Sequence, residues 1–278
     1  MSVGTLYIVA TPLGNLEDVT FRALRVLREV PLIACEDTRR TVKLLNRYEI
    51  RTPMIPFHDH NKLEAGARLL RRLRDGFSVA LVSDAGTPGV SDPGYELVRD
   101  AVAEKIPVEV VPGPSALISA LVVSGLPTDR FAFEGFLSNR AERRRKALAA
   151  LSDEPRTLIF YESPQRIAAF LSDASEIFGS RRGCVVRELT KIHEEILRGT
   201  LPELFEEIAN RESVPGEITV VIEGAAKAVV FSVEEVVREA LQAAPEPVSS
   251  RDLAREISGR TGLSKKEVYA EILKRRKP

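Results

Sequence analysis

The run Ser83-Asp84-Ala85-Gly86-Thr87-Pro88-Gly89-Val90-Ser91-Asp92-Pro93-Gly94 restricts the fold of this chain more than any other stretch. The apolar, β-branched segment Phe77-Ser78-Val79-Ala80-Leu81-Val82 precedes it and reads as a buried strand. Tyr95 to Val102 follows, with apolar residues at helical spacing. In open α/β sheets a loop of this kind, at the carboxyl end of a strand, is where ligands bind. Its small residues admit a close backbone approach, and its prolines fix φ. An ordinary strand-to-helix connection is shorter.

The same punctuation recurs. Leu6-Tyr7-Ile8-Val9-Ala10, Pro31-Leu32-Ile33-Ala34-Cys35, residues 53–57 and Pro107-Val108-Glu109-Val110-Val111 read as further strands, each ended by a polar or Gly/Pro cluster. Helices are expected over 20–30, where Phe21, Leu24 and Leu27 mark the apolar face, and from about 38 to 48. Another starts at Asn61 as its cap, carries Leu63, Leu69, Leu70 and Leu73, and stops at Gly76. This alternation predicts an α/β lobe with a mainly parallel sheet, its loops gathered along one edge.

An apolar helix over 115–125 leads into a second α/β set. Its strands lie near 131–136, 157–161, 184–188, 195–199 and 217–223, and its helices near 140–150, 164–178 and 202–210. Some of these strands follow each other closely, so a mixed sheet is expected. A helix over 232–241 and the stiff linker Ala244-Pro245-Glu246-Pro247 come next. Two helical patterns then flank Arg260-Thr261-Gly262-Leu263-Ser264, with Leu253, Ala254 and Ile257 on one apolar face and Val268, Ile272 and Leu273 on the other. That arrangement is of the helix-turn-helix kind. The expected fold class is therefore α/β: an N-terminal lobe over 1–114, a C-terminal lobe over 115–226 and a helical extension over 232–278. A length of 278 residues and an apolar content of 44% suit that division.

Several function classes are disfavoured. The 40 basic and 40 acidic residues cancel, so only local clusters can speak for nucleic acid. The N-terminus has no leader pattern and no apolar run reaches spanning length, so no membrane association is expected. Cys35 and Cys184 sit in apolar strand-like runs and read as buried, reduced thiols. His58, His60 and His193 offer no zinc spacing with them, and no metal is expected. Thr11-Pro12-Leu13-Gly14 matches no Gly-x-Gly-x-x-Gly fingerprint, and no Walker-type Gly-Lys-Ser/Thr occurs.

Val9-Ala10-Thr11-Pro12-Leu13-Gly14-Asn15, Glu36-Asp37-Thr38-Arg39, Ser83-Asp84-Ala85-Gly86-Thr87-Pro88 and Val111-Pro112-Gly113-Pro114-Ser115-Ala116 together resemble the tetrapyrrole-methylase superfamily. Those enzymes are S-adenosylmethionine-dependent methyltransferases without a Rossmann fold. Phe160-Tyr161-Glu162-Ser163-Pro164-Gln165-Arg166, the run Arg187 to Glu195 and Gly216-Glu217-Ile218-Thr219 narrow the resemblance to its ribosomal RNA branch. Many tetrapyrrole enzymes carry a Gly-Asp-Pro form of the third motif. The Ser83-Asp84-Ala85-Gly86 form here points the same way.

The resemblance implies a cleft between two lobes that holds S-adenosylmethionine in a folded shape. Pro12 should line it, and Asp84, Ala85, Gly86 and Val90 should cover the methionine part. Ser115 and Ala116 should start the helix beyond the fourth motif. Tyr161 should flank the adenine region, with Glu217 to Thr219 closing it from the second lobe. It further implies methylation of a cytidine ribose 2′-oxygen in 16S rRNA, in the decoding region of the small ribosomal subunit, by a cytoplasmic homodimer.

A ribose hydroxyl is a poor nucleophile, so a base beside it is expected to help. Candidates are Glu36, Asp37, Glu162 and, if burial or neighbouring cations lower its pKa, Lys191. Arg39 and Arg166 would hold phosphates. Each has a plainer alternative. Glu36 and Asp37 can cap the following helix, and Lys191 can pair with Glu194. His58, His60 and Asn61 can form a polar turn or a substrate loop. Tyr161 can be half-buried core with a polar tip. Basic clusters at Arg140 with Arg143-Arg144-Arg145-Lys146, at Arg71-Arg72 with Arg74, at Arg181-Arg182 and at Lys274-Arg275-Arg276-Lys277 matter for RNA only if they converge on the cleft. Two other readings stay open: a methylase of a tetrapyrrole or other small molecule, and a nucleic-acid-binding protein without chemistry.

Overall fold

The computed structural model describes residues 3–226, 232–243 and 248–276. Contacts group the chain into two compact units, Met1–Ala225 and Ala226–Pro278.

The first part of the larger unit alternates strand and helix: β1 (Leu6–Val9), α1 (Phe21–Glu29), β2 (Ile33–Cys35), α2 (Thr38–Arg47), β3 (Met54–Pro56), α3 (Lys62–Arg74), β4 (Val79–Val82), α4 (Gly94–Ala103) and β5 (Val108–Val111). All five strands are parallel, in the order β3-β2-β4-β1-β5. Residues 79–82 are buried without interruption, as a strand covered on both faces requires. Leu69, Leu73 and Leu97 pack on one face of the sheet, and Leu24, Leu27 and Leu45 on the other.

The second part runs α5 (Ala116–Ser124), β6 (Phe131–Phe136), α6 (Ala141–Ala150), β7 (Thr157–Glu162), α7 (Ile167–Phe178), β8 (Arg182–Arg187), β9 (Glu195–Thr200), α8 (Leu201–Ala209) and β10 (Ile218–Ile222). The strand order is β6-β7-β10-β8-β9. Only β6 and β7 pair in parallel, so the sheet is mixed as expected. Ala120 and Leu121 of α5 pack on one face of this sheet, and Phe170, Leu171 and Leu204 cover the other. A capping box at Thr200 and Glu203 starts α8.

The smaller unit contains α9 (Val233–Ala243), α10 (Ser250–Thr261) and α11 (Lys265–Arg276) around Val237, Ile257 and Ile272. Gly262, in the left-handed region at φ 72°, ends α10. The linker at 244–247 and Lys277 lie outside the described residues.

Some expected core positions are exposed. Phe21 is 92% exposed, Leu63 87% and Leu273 41%. Phe21 and Leu63 stand in the first turns of α1 and α3. Helical side chains lean toward the N-terminus, so residues there reach past the sheet they would cover. Asn61 occupies the N-cap position of α3 without capping it. Its side-chain oxygen accepts the His58 N–H at 2.9 Å and its amide donates to the Pro56 carbonyl, which closes a polar turn.

Candidate active site

The loops after β1, β4 and β5 are stitched together. Thr11 and Gly86 exchange backbone hydrogen bonds of 2.9 and 3.0 Å, and the Thr11 hydroxyl donates to the Ser83 carbonyl. The Thr87 hydroxyl donates to the Pro114 carbonyl. Gly86 has φ +80°, and a Cβ there would sit 3.3 Å from Leu13, so the turn and the close approach both call for glycine. Asp92 accepts the N–H groups of Gly89 and Gly94 at 2.6 and 2.9 Å, which cinches the far end of the long loop.

A cavity of about 400 Å³ opens between this loop edge and the second sheet. Glu36, Arg40, Asp84, Ala85, Gly86 and Val90 line it from the first sheet's loops, and Ser115 and Ala116 from the start of α5. Phe136, Tyr161, Glu162, Ser163, Glu217 and Thr219 line it from the second sheet. A bulge at Gly135, with φ 62°, shifts the register of β6 just before Phe136. Tyr161 stacks edge-on against Phe133 with ring centroids 4.8 Å apart. Burial raises the pKa of its phenol.

The cavity is acidic. Burial, and then the charges of Asp84 and Asp92, raise the Glu36 pKa; no cation offsets them, and only the Asp84 N–H counters. Burial likewise raises Asp84, against the Asp37 N–H, which donates to it at 2.9 Å, and the Arg40 guanidinium at 3.4 Å. Burial raises Asp92 as well. Arg40 also reaches Glu217 at 3.5 Å, so one side chain touches carboxylates on both sides of the cleft.

The remaining expected site residues are placed differently. Leu13 lines the cavity, while its neighbour Pro12 does not. Asp37 is the N-cap of α2 and accepts the Arg39 N–H at 2.8 Å. Its hydrogen bonds with the Arg39 guanidinium, 2.7 Å away, hold it down to about 2. Asp37 and Arg39 therefore occupy each other beside the cavity, and capping is the role the geometry gives Asp37. Glu162 is buried with Arg166 at 2.5 Å and the Ser163 N–H at 2.7 Å on the same oxygen, so Arg166 is not free for a phosphate.

Lys191 lies outside the cavity and pairs with Glu188 at 2.8 Å and Glu217 at 3.1 Å, not with Glu194. Glu194 instead accepts the Thr190 N–H. Burial pulls the Lys191 pKa down, but hydrogen bonds to the two carboxylates outweigh it and the net shift is upward, the reverse of what a base needs. Arg40, Asp92, Phe136 and Ser163 were not singled out from sequence. Arg40 adjoins the Glu36–Arg39 run, and Asp92 sits in the long loop, so proximity to a motif was the available signal.

A family model described as Tetrapyrrole (Corrin/Porphyrin) Methylases matches residues 5–205. The chain belongs to the tetrapyrrole methylase family. Relatives of this tetrapyrrole methylase include a protein from Halalkalibacterium halodurans named Ribosomal RNA small subunit methyltransferase I, 46% identical over 277 residues, covering 96% of this chain and 93% of the relative. A Pseudomonas aeruginosa protein of the same name is 51% identical over 226 residues, covering 81% of this chain and 80% of the relative. Among solved structures, the uroporphyrin-III C-methyl transferase of Thermus thermophilus complexed with S-adenyl homocysteine aligns with TM-score 0.57 at 24% identity, over 78% of this chain and 97% of that one. That likeness speaks to the fold. Among the described residues no helix is long and apolar enough to cross a membrane, and no group of His, Cys, Asp and Glu is placed to hold a metal ion.

Proposed function

We propose that this tetrapyrrole methylase transfers a methyl group from S-adenosylmethionine to the ribose 2′-oxygen of a cytidine in 16S rRNA, in the decoding region of the small ribosomal subunit. The observation that carries the reading is the acidic cleft itself. It brings Asp84, Ala85, Gly86, Val90, Ser115, Ala116, Tyr161, Glu217 and Thr219 to one cavity, and its carboxylates outnumber its one arginine. Its volume lies in the range of small-molecule sites. A dinucleotide or nucleoside triphosphate would meet repulsion there, whereas a sulfonium and an ammonium meet opposite charge. The relatives named for small-subunit ribosomal RNA, at 46% and 51% identity, support the acceptor class.

The residues present fit that donor. Ser115 caps α5 without a side-chain hydrogen bond, so first-turn N–H groups beside the cavity stay available for a carboxylate. Tyr161 and Phe136 give an aromatic wall for a purine. When bound, S-adenosylmethionine supplies a methyl on a positive sulfur, and the electrons of the broken C–S bond return to sulfur as the new C–O bond forms. Alignment by the stitched loops supplies up to about 7–11 kcal/mol where the geometry is good. Glu36 takes the 2′-hydroxyl proton and releases it to solvent. We extend the reading to a cytoplasmic homodimer with lobes at 1–114 and 115–226 and a helical extension at 232–278, as the resemblance implies.

The test is nuclease mapping with mass spectrometry of small subunits and free rRNA methylated in vitro. One 2′-O-methylcytidine is expected. Methyl transfer to a corrinoid precursor and none to RNA would put the protein with the small-molecule methylases. Asp84→Ala removes the carboxylate that holds Asp37 and Arg40, and calorimetry should find donor affinity lowered about tenfold or more, the worth of one charge-assisted bond. Unchanged affinity would remove this loop from the donor site.

A further inference from the structure

Helix α2 carries Arg39, Arg40, Lys43 and Arg47 and no acidic residue. All four are exposed. At 100° per residue they fall within one third of the helix circumference, opposite buried Thr41 and Leu45. Arg40 lines the acidic cleft, and Arg47, about 10 Å further along the axis at 1.5 Å per residue, lines a second cavity of about 730 Å³. Only Arg47 gains from the helix dipole. Arg39 and Arg40 sit at the end where cations are disfavoured, so the dipole does not account for the stripe.

The far wall of the second cavity is the turn between β8 and β9, with Thr190, Lys191, Ile192 and His193. This turn is held in an unusual shape. Glu188 and Thr190 have φ of 52° and 65°, a region costly for non-glycine residues. Its polar groups are tied down: the Thr190 hydroxyl accepts the Asn15 N–H at 3.1 Å, and Lys191 bridges Glu188 and Glu217. Lys191 also lies over Gly14, where a Cβ would come within 2.2 Å of its Cγ. At the tip of this braced turn stands Ile192, 98% exposed. The braced turn holds this one aliphatic side chain in water at the rim of the second cavity, with Arg47 on the same lining.

Resting on the ribosomal RNA reading above, we infer that a single-stranded RNA segment crosses from the second cavity to the acidic cleft along the basic stripe of α2, with Ile192 packed against a base next to the acceptor nucleotide. Lys43 and Arg47 meet phosphates. Asp84 and Glu217 draw Arg40 toward the cleft, and Asp37 holds Arg39. Glu17 and Glu188 also line the second cavity, and Lys191 neutralises Glu188 at 2.8 Å. Ile192 acts as the apolar wedge that keeps the acceptor out of its stack, as such side chains do between bases.

The test compares Lys43→Ala/Arg47→Ala, Ile192→Asp and Ile192→Leu with wild type, using methyl transfer to small subunits and free rRNA. The double variant should raise KM for RNA about tenfold or more and make log KM less salt-dependent by about 1.4 in slope, two phosphates on a single strand. Ile192→Asp should raise KM similarly and Ile192→Leu should restore it. Donor affinity should be unchanged in all. Arg71→Glu/Arg72→Glu, which lines neither cavity, should leave KM as it is. Wild-type methylation with the same KM and salt slope in the α2 variants overturns the inference and leaves the function standing. So does a KM change that tracks a change in oligomeric state. No methylation of RNA by wild type overturns the function itself.

Discussion

Glu36→Gln should lower turnover by about 10²–10⁴-fold, the usual worth of a positioned base, while donor affinity changes little. Four groups were open for this role from sequence, and three are otherwise engaged. Asp37 caps α2 by accepting the Arg39 N–H and is salt-bridged to the Arg39 guanidinium. Glu162 is clamped by Arg166 and the Ser163 N–H. Lys191 is a doubly paired cation. Of the four, only Glu36 lines the cavity with a raised pKa and no cation upon it. Asp84 and Asp92 remain to hold the donor in the variant, which is why kcat should fall and the dissociation constant should not. Single-turnover transfer within about twofold of wild type would leave alignment as the whole mechanism.

The raised Glu36 pKa gives this prediction two further signs. A base works deprotonated, so transfer should fail as pH drops through a value above the ordinary carboxylate range, and Glu36→Gln should lose that acid limb. For stability the sign reverses. A carboxyl whose folded pKa is raised contributes stability that is complete below its unfolded pKa and is lost as pH rises through the folded one. At neutral pH the charged Glu36 therefore costs stability, and the Gln variant should melt higher than wild type in the absence of donor. With the dissociation constant unchanged, saturating donor should raise the stability of wild type and variant by the same amount.

The architecture could be read from the chain because local signals and burial agree. The strand at 79–82 is apolar, β-branched and buried throughout, and Gly/Pro clusters follow the strands that end at the cleft. Residues of seven separated motifs meet in one cavity for the same reason, since each motif lies where a strand or helix begins or ends at that edge. Side-chain partnership was not legible. Nothing in the run Arg187 to Glu195 says that Lys191 skips Glu194 for Glu217, 26 residues away, because that choice depends on β8 pairing with β10 inside the second sheet, with Arg187 opposite Ile218. The basic stripe of α2 is not a run in the sequence, because its cations are spaced at helical intervals, unlike Arg143-Arg144-Arg145-Lys146. Arg144 and Arg145 of that run are tied to Asp173.

Asp173→Ala should destabilise the protein by about 3–5 kcal/mol, the cost of stranding a buried charge. Arg144 is 5% exposed, and both its Nε and Nη2 lie 2.7 Å from one oxygen of Asp173, itself buried on α7. Arg145 takes the other oxygen at 2.8 Å and continues to Glu176. Two members of the densest basic cluster are thus spent on joining α6 to α7. Removing the carboxylate leaves the buried Arg144 guanidinium without its partner, where water cannot replace the lost bonds. At about 2–4 °C per kcal/mol for a domain of this size, the melting temperature should fall by roughly 6–20 °C. The double change Arg144→Met/Asp173→Leu removes both charges and should recover most of that loss, as apolar replacements of buried pairs do. If the cluster instead served RNA, Asp173→Ala would free two cations, melt within about 2 °C of wild type and tighten binding. That pair of results would reverse the assignment.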